Sequence, residues 1–283
     1  MDDLRHRVER TLRAFLDERR RAVAAADASA VPMIDEIRRL LDAGGKRIRP
    51  AFCYWGHRAA GGPDGEAIVR AAASLELLHT MAIVHDDLLD GAKERRGVPS
   101  TAVWFAEHAD DVGLRGDPDD LGQRTALLVG DLAAVLAEGM LAGSGFAPAH
   151  VVDALAVSEA MRERMAVGEW LDVAGLAARS DPDAARRAAR LKGGSYTVEG
   201  PLLIGAALAA ASPPARDALR AFGRPLGEAF QLRDDLDDGE APAGIDADAV
   251  RALVARARPA LDRRVLDAHA CDVLDALAER IAP

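Results

Sequence analysis

The sequence predicts an all-α fold: a single-domain helical bundle over residues 1–283, packed around a deep central cavity. Three observations carry that expectation. Hydrophobic residues make up 49% of the chain but aromatics only 4%, and Ala, Leu, Val and Arg are plentiful, a mix that favours helix over strand. Apolar residues recur at spacings of three and four almost throughout, and no segment alternates with a period of two. Gly and Pro fall between those segments, with no linker long enough to separate domains. Facing helices of a bundle are where such folds build their sites.

The first predicted helix, 2–25, is charged throughout and lacks the apolar stretch of a signal peptide, so a cytoplasmic location is expected. Helix 31–42 ends at the pair Gly44-Gly45. Helix 47–60 then opens on Lys46, Arg47 and Arg49. Lys46 and Arg49 are three apart and can point the same way, and cations at a helix N-terminus suit a phosphate group.

Helix 65–87 is largely apolar over 68–85 and runs into Asp86, Asp87 and Asp90. Asp86 and Asp90 are four apart, on one helix face, where like charges cost roughly 0.2–0.5 kcal/mol. At a helix C-terminus they also oppose the helix dipole. Folding does not call for this arrangement; a hard cation reverses its sign. The basic pair Arg95-Arg96 follows, then helix 100–111 and a Gly/Pro-rich stretch. Asp110-Asp111 and the run Asp117 to Asp120 lie there and read as solvent-exposed.

Helices 123–142, 148–175, 184–192, 196–211 and 214–237 come next. The last repeats the earlier design: an apolar lead into Asp234, Asp235 and Asp238, ended by Gly239. Helices 246–262 and 266–281 close the chain. Oxygen-only ligands suit Mg²⁺, which takes one or two carboxylates and fills its shell with substrate phosphate and water. Two acidic runs of identical spacing therefore point to a diphosphate ester held through metal, and the basic residues point to a second diphosphate held directly.

Other classes are disfavoured. A net charge of −10 is a poor basis for binding nucleic acid or an anionic membrane. No uninterrupted run of 18 apolar residues occurs, so no membrane span is expected. Cys53 and Cys271 are far apart and have no Cys-x-x-Cys spacing, which argues for ordinary buried thiols and against zinc.

The pieces GGKRIRP (44–50), LELLHTMAIVHDDLLD (75–90), ERRG (94–97), LLVGDL (127–132), GEWLD (168–172) and FQLRDDLDD (230–238) resemble, in content and order, the trans-isoprenyl diphosphate synthases of the polyprenyl synthetase family. The similarity covers residues from about 40 to 240 and is nearest to short bacterial members that make geranylgeranyl diphosphate. It implies a bundle of the isoprenoid synthase type, a homodimer, and Mg²⁺ as cofactor, three ions per site. It implies Asp86, Asp90 and Asp234 as principal metal ligands, supported by Asp87, Asp235 and Asp238. Lys46, Arg49, His79 and Arg96 correspond to residues that hold isopentenyl diphosphate. Arg95, Lys192 and Gln231 correspond to contacts on an allylic diphosphate of five to fifteen carbons. The implied reaction is ionisation of the allylic diphosphate, attack on the cation by the isopentenyl double bond, and loss of a proton. In this family the residues lining the floor of the elongation cavity match Leu78, Met81 and Ala82; a flexible Met beside a small Ala favours a C20 product.

Two departures stand out. Lys192 is followed by Gly193-Gly194 where the family has a Lys-Thr pair. After Asp238 a Gly-Lys segment of the family is missing, and no lysine follows Lys192. That shortening keeps open a partner-dependent or regulatory subunit of a heteromeric synthase. A class I terpene cyclase would share the fold and the first acidic motif, but not GGKRIRP or an all-Asp second motif.

Overall fold

A computed structural model describes residues 2–95, 97–175, 182–239, 241 and 244–282, without the side chain of Pro182. The all-α expectation holds. Helices α1 (Asp2–Ala26), α2 (Val31–Asp42), α3 (Ile48–Ala59), α4 (Glu66–Leu89), α5 (Thr101–Glu107), α6 (Pro118–Ala142) and α7 (Pro148–Val173) are followed by α8 (Pro182–Ala189). A π-helix over Arg190–Glu199 leads into α9 (Gly200–Leu208), and then come α10 (Pro213–Asp237), α11 (Ala247–Ala257) and α12 (Ala268–Glu279). Several starts are written in the sequence. Asp117, Ser212, Asp246 and Asp267 cap α6, α10, α11 and α12 by accepting a backbone N–H, and Pro118 and Pro213 occupy the first turns of α6 and α10.

Three details correct the expectations. Two short strands, β1 (Glu94–Arg95) and β2 (Val98–Pro99), pair antiparallel as a small hairpin, with Gly97 at φ of 78° before β2. It is too short to show period-two alternation. Helix α6 begins at Pro118, not 123, because Asp117 accepts from the Asp120 N–H at 3.0 Å. The acidic run there is a helix start, and it is exposed as expected. The break expected between 192 and 196 does not exist: α8, the π-helix and α9 run on without interruption.

By packing, the chain divides into two compact units, Met1–Arg47 with Val69–Gly143, and Ile48–Ile68 with Ser144–Pro283. The core of the first includes Val8, Leu12, Leu16, Ile34, Ile37, Leu77, Phe105, Val129 and Met140. The core of the second includes Phe52, Leu202, Ile204, Phe222, Leu226, Leu232, Val250 and Leu274. In this unit α3 and α9 cross at backbone contact. A Cβ on Gly56 would lie 2.5 Å from the Leu202 carbonyl oxygen, and one on Gly205 would lie 2.0 Å from that of Cys53. Cys53 and Cys271 are buried free thiols.

Helices α4 and α6 are each long and apolar enough, by length and composition, to cross a membrane, although scattered polar residues interrupt their apolar runs. The apolar window of α4 is 72% buried within the fold, as suits a core helix.

Candidate functional site

In the first unit, α4 is anchored by buried Leu75, Leu77, Leu78 and Val84 and carries the first acidic motif at its C-terminal end. The Asp90 N–H donates to the Asp86 carbonyl at 2.9 Å, which stacks the two one turn apart. Asp86 is half-buried, Asp87 is buried and Asp90 is exposed. Arg95, presented by the hairpin, forks across the motif. Its Nη2 donates to Asp86 Oδ2 at 2.7 Å and its Nε to Asp87 Oδ1 at 2.6 Å. Burial pushes the Asp87 carboxyl above its ordinary value; Arg95 opposes this, and the charges of Asp86 and Asp90 add to it.

His85, the residue before the motif, sets its Nε2 3.3 Å from the Leu127 carbonyl oxygen and 3.9 Å from Asp131 on α6. Gly130 is what admits it, since a Cβ there would lie 2.2 Å from that nitrogen. This gives LLVGDL a physical role: it receives the base of the first motif. Of the other expected residues in this unit, Leu78 is buried, while His79, Met81 and Ala82 are half-buried and Lys46 is exposed. Arg96 lies outside the described residues.

Arg47 differs from its neighbours in GGKRIRP. Its φ is 49°, which turns the side chain inward to a buried position. There it donates to Glu76 Oε2 at 2.7 Å and to the Leu41 carbonyl at 2.6 Å. Arg47 braces the turn against α4 and is not a ligand-facing cation.

In the second unit, α10 brings Gln231, Asp234 and Asp235 to half-buried positions and leaves Asp238 exposed. The Asp238 N–H donates to the Asp234 carbonyl at 3.0 Å, the same one-turn stacking as in the first motif. Gln231 Nε2 donates to Asp235 Oδ1 at 2.8 Å. The π-helix packs directly on α10. A Cβ on Gly193 would fall 1.6 Å from Gln231 Oε1, and one on Gly194 would fall 2.9 Å from the Gly227 carbonyl carbon. Gly193-Gly194 is therefore a packing seam and not a helix break.

At one end of that seam, Lys192 Nζ reaches Glu169 at 3.0 Å and Asp172 at 2.9 Å, both from GEWLD on α7. At the other end Arg49, half-buried on α3, lies over the Tyr196 ring with its guanidinium carbon 4.3 Å from the centroid. Its Nη2 donates to Thr197 Oγ1 at 3.1 Å. Sequence reasoning missed Tyr196 and Thr197; only the wide turn of the π-helix places both on one cation.

Each acidic motif fits Mg²⁺ on the chemistry of its donors. All are carboxylate oxygens, and each pair one turn apart supplies one or two ligands, leaving the rest of an octahedral shell to substrate and water. Among the described residues no group of three His, Cys, Asp or Glu side chains is gathered closely enough to hold a metal ion by itself.

Comparison with known proteins agrees with this chemistry. A geranylgeranyl diphosphate synthase of Methanosarcina mazei is 30% identical over 205 residues, 72% of this chain and 58% of its own length. A (2E,6E)-farnesyl diphosphate synthase of Mycobacterium bovis is 37% identical over 196 residues, 68% of this chain and 48% of its own. The chain thus spans about half the length of these curated relatives. A geranylgeranyl pyrophosphate synthase of Corynebacterium glutamicum, solved with isoprenyl diphosphate and magnesium, superposes with a TM-score of 0.90. It shows 26% identity over 100% of this chain and 99% of that one. A family profile described as polyprenyl synthetase matches residues 32–243. With two stacked acidic motifs and that match over most of its length, the chain belongs to the polyprenyl synthetase family.

Proposed function

We propose that this chain is a trans-prenyltransferase that joins isopentenyl diphosphate to an allylic diphosphate and releases a longer prenyl diphosphate and pyrophosphate. The observation that carries the reading is the pair of all-carboxylate motifs, each stacked one turn apart at the end of an apolar helix, in a chain that also holds GGKRIRP. The isoprenyl diphosphate and magnesium held by the Corynebacterium glutamicum neighbour support it.

Asp86, Asp90 and Asp234 would hold Mg²⁺, with Asp87, Asp235 and Asp238 in support. When bound, the metal supplies charge neutralisation on the departing pyrophosphate. Arg95, Lys192 and Gln231 would hold the allylic diphosphate; Lys46, Arg49, His79 and Arg96 would hold isopentenyl diphosphate. The allylic C–O bond breaks and its electron pair leaves with pyrophosphate, whose charge the cationic side chains stabilise. The isopentenyl double bond then forms the new C–C bond, and transfer of a proton from the resulting cation to the departed pyrophosphate restores a double bond. A C20 product fits half-buried Met81 and Ala82 above buried Leu78. A homodimer fits the apolar side chains Leu127, Leu128 and Val135 that α6 leaves exposed.

The test is incubation of the purified protein with Mg²⁺, labelled isopentenyl diphosphate and, separately, C5, C10 and C15 primers, with products sized by chromatography. Extension to C20 supports the reading in full. Folded protein that binds pyrophosphate but extends no primer would favour the second reading, a partner-dependent subunit. That reading draws on the missing lysine segment between Asp238 and α11.

A further inference from the structure

Four basic side chains in and beside the candidate site are not held alike. Arg95 is paired with two aspartates, Lys192 with Glu169 and Asp172, and Arg47 with Glu76. Each is neutralised where it stands. Arg49 alone among these four has no carboxylate within ion-pair distance among the described residues. Its partners are the face of Tyr196 and the hydroxyl of Thr197, both neutral. They are 5% and 1% exposed, so they are fixed by the packing around them. Arg49 Nε is itself buried and has no hydrogen-bond partner.

A ring face and a hydroxyl constrain a guanidinium without cancelling its charge. The ring fixes its plane by cation–π attraction, and the hydroxyl fixes its rotation by holding one terminal nitrogen. We propose that Tyr196 and Thr197 are positioning residues that aim a fully charged Arg49 at isopentenyl diphosphate, and that the π-helix exists at this point to present them. The inference rests on the role given to Arg49 above. It goes further in naming what fixes that cation, and in making the sense of the fixing electrostatic: oriented but not neutralised.

The geometry distinguishes this from ordinary packing. Tyr196 and Thr197 are consecutive, and both reach one guanidinium from one element. Lys192 sits earlier on the same element and faces carboxylates. A change at Tyr196 should therefore disturb one substrate and spare the other.

The experiment measures kcat and both KM values for the wild type, Tyr196→Leu, Tyr196→Phe and Thr197→Val, alongside their melting temperatures. Tyr196→Leu is expected to raise KM for isopentenyl diphosphate about tenfold, the scale of a lost desolvated cation–π contact. KM for the allylic diphosphate should stay within about twofold, since that substrate meets other cations. Tyr196→Phe, which keeps the ring, should restore the wild-type value, and Thr197→Val should fall between. Equal changes in both KM values, or a rise in Tyr196→Phe as large as in Tyr196→Leu, would overturn the proposal. If the wild type turns over no primer, the functional reading fails separately. The same variants are then titrated calorimetrically with inorganic pyrophosphate in the presence of a chelator, which reads the metal-free cationic site. Loss of affinity in Tyr196→Leu with retention in Tyr196→Phe supports the positioning role, and equal affinity in all four proteins overturns it.

Discussion

At the scale of single residues, the acidic motifs and the glycines of the seam have opposite tolerances. Asp86→Asn or Asp234→Asn keeps the shape and removes the charge of a proposed metal ligand. Turnover should fall by more than the roughly ten- to hundredfold that loss of a mere supporting ligand costs, while circular dichroism stays unchanged. Gly194→Ala keeps every charge but drives a methyl against the backbone of α10, where it would lie 2.9 Å from the Gly227 carbonyl carbon and 3.0 Å from the Glu228 nitrogen. Overpacking of this kind costs about 1–3 kcal/mol, and a thermal melt should register it together with lost activity. Met81→Ala should lengthen the product beyond that of the wild type on the same chromatogram. The aspartates were legible in the sequence because a four-residue spacing after an apolar helix has no folding rationale. The inward turn of Arg47 was not, because it depends on a positive φ that no side-chain pattern announces.

At the scale of elements, helix ends were legible where capping residues spell them out, as at Asp117 and Ser212. The π-helix was hidden because Gly-Gly reads locally as a break, and only contact with α10 reveals what the missing side chains admit. Two contacts between elements can be tested. Among the described residues, Glu76→Gln would leave buried Arg47 with only Glu9, 3.8 Å from its Nε, as a full charge opposite. The cost is below the roughly 3–5 kcal/mol of a wholly unpaired buried charge and readable as a lowered urea midpoint. His57, on α3, is 1% exposed, with Nδ1 3.3 Å from the Gly205 carbonyl and Nε2 3.2 Å from that of Pro63. Burial holds its imidazole below the ordinary value, outweighing the carbonyls that favour the proton. The folded state thus binds that proton less readily than the unfolded chain. The stability from keeping His57 neutral is present above its ordinary value of about 6.5 and is lost as pH falls through that value toward the lower folded one. The urea midpoint should decline from about pH 7 to about pH 5, and less steeply in His57→Gln.

At the scale of the whole molecule, the helical class followed from composition, periodicity and the placing of Gly and Pro, while the division into two units did not, because each joins stretches distant in sequence. Charge and composition also could not say which apolar helix is covered. Helix α4 is mostly inside, whereas α6 leaves Leu128 54% and Val135 64% exposed. If a second copy covers α6, Leu128→Glu with Val135→Glu should weaken self-association by at least about tenfold, since each such side chain contributes about 1.5–3 kcal/mol when buried. Light scattering across a dilution series would show it, and an unchanged mass at every concentration would place the pairing face elsewhere.

The seam between the π-helix and α10 also bears on how such a protein can change over generations. Where Gly194 meets Gly227, backbone touches backbone. A surface without side chains offers selection nothing to enlarge, shrink or recolour; almost every substitution there is a collision. Variation must therefore accumulate elsewhere in the chain, where side chains can be exchanged without a collision, so lineages that diverge in activity should still share these glycines.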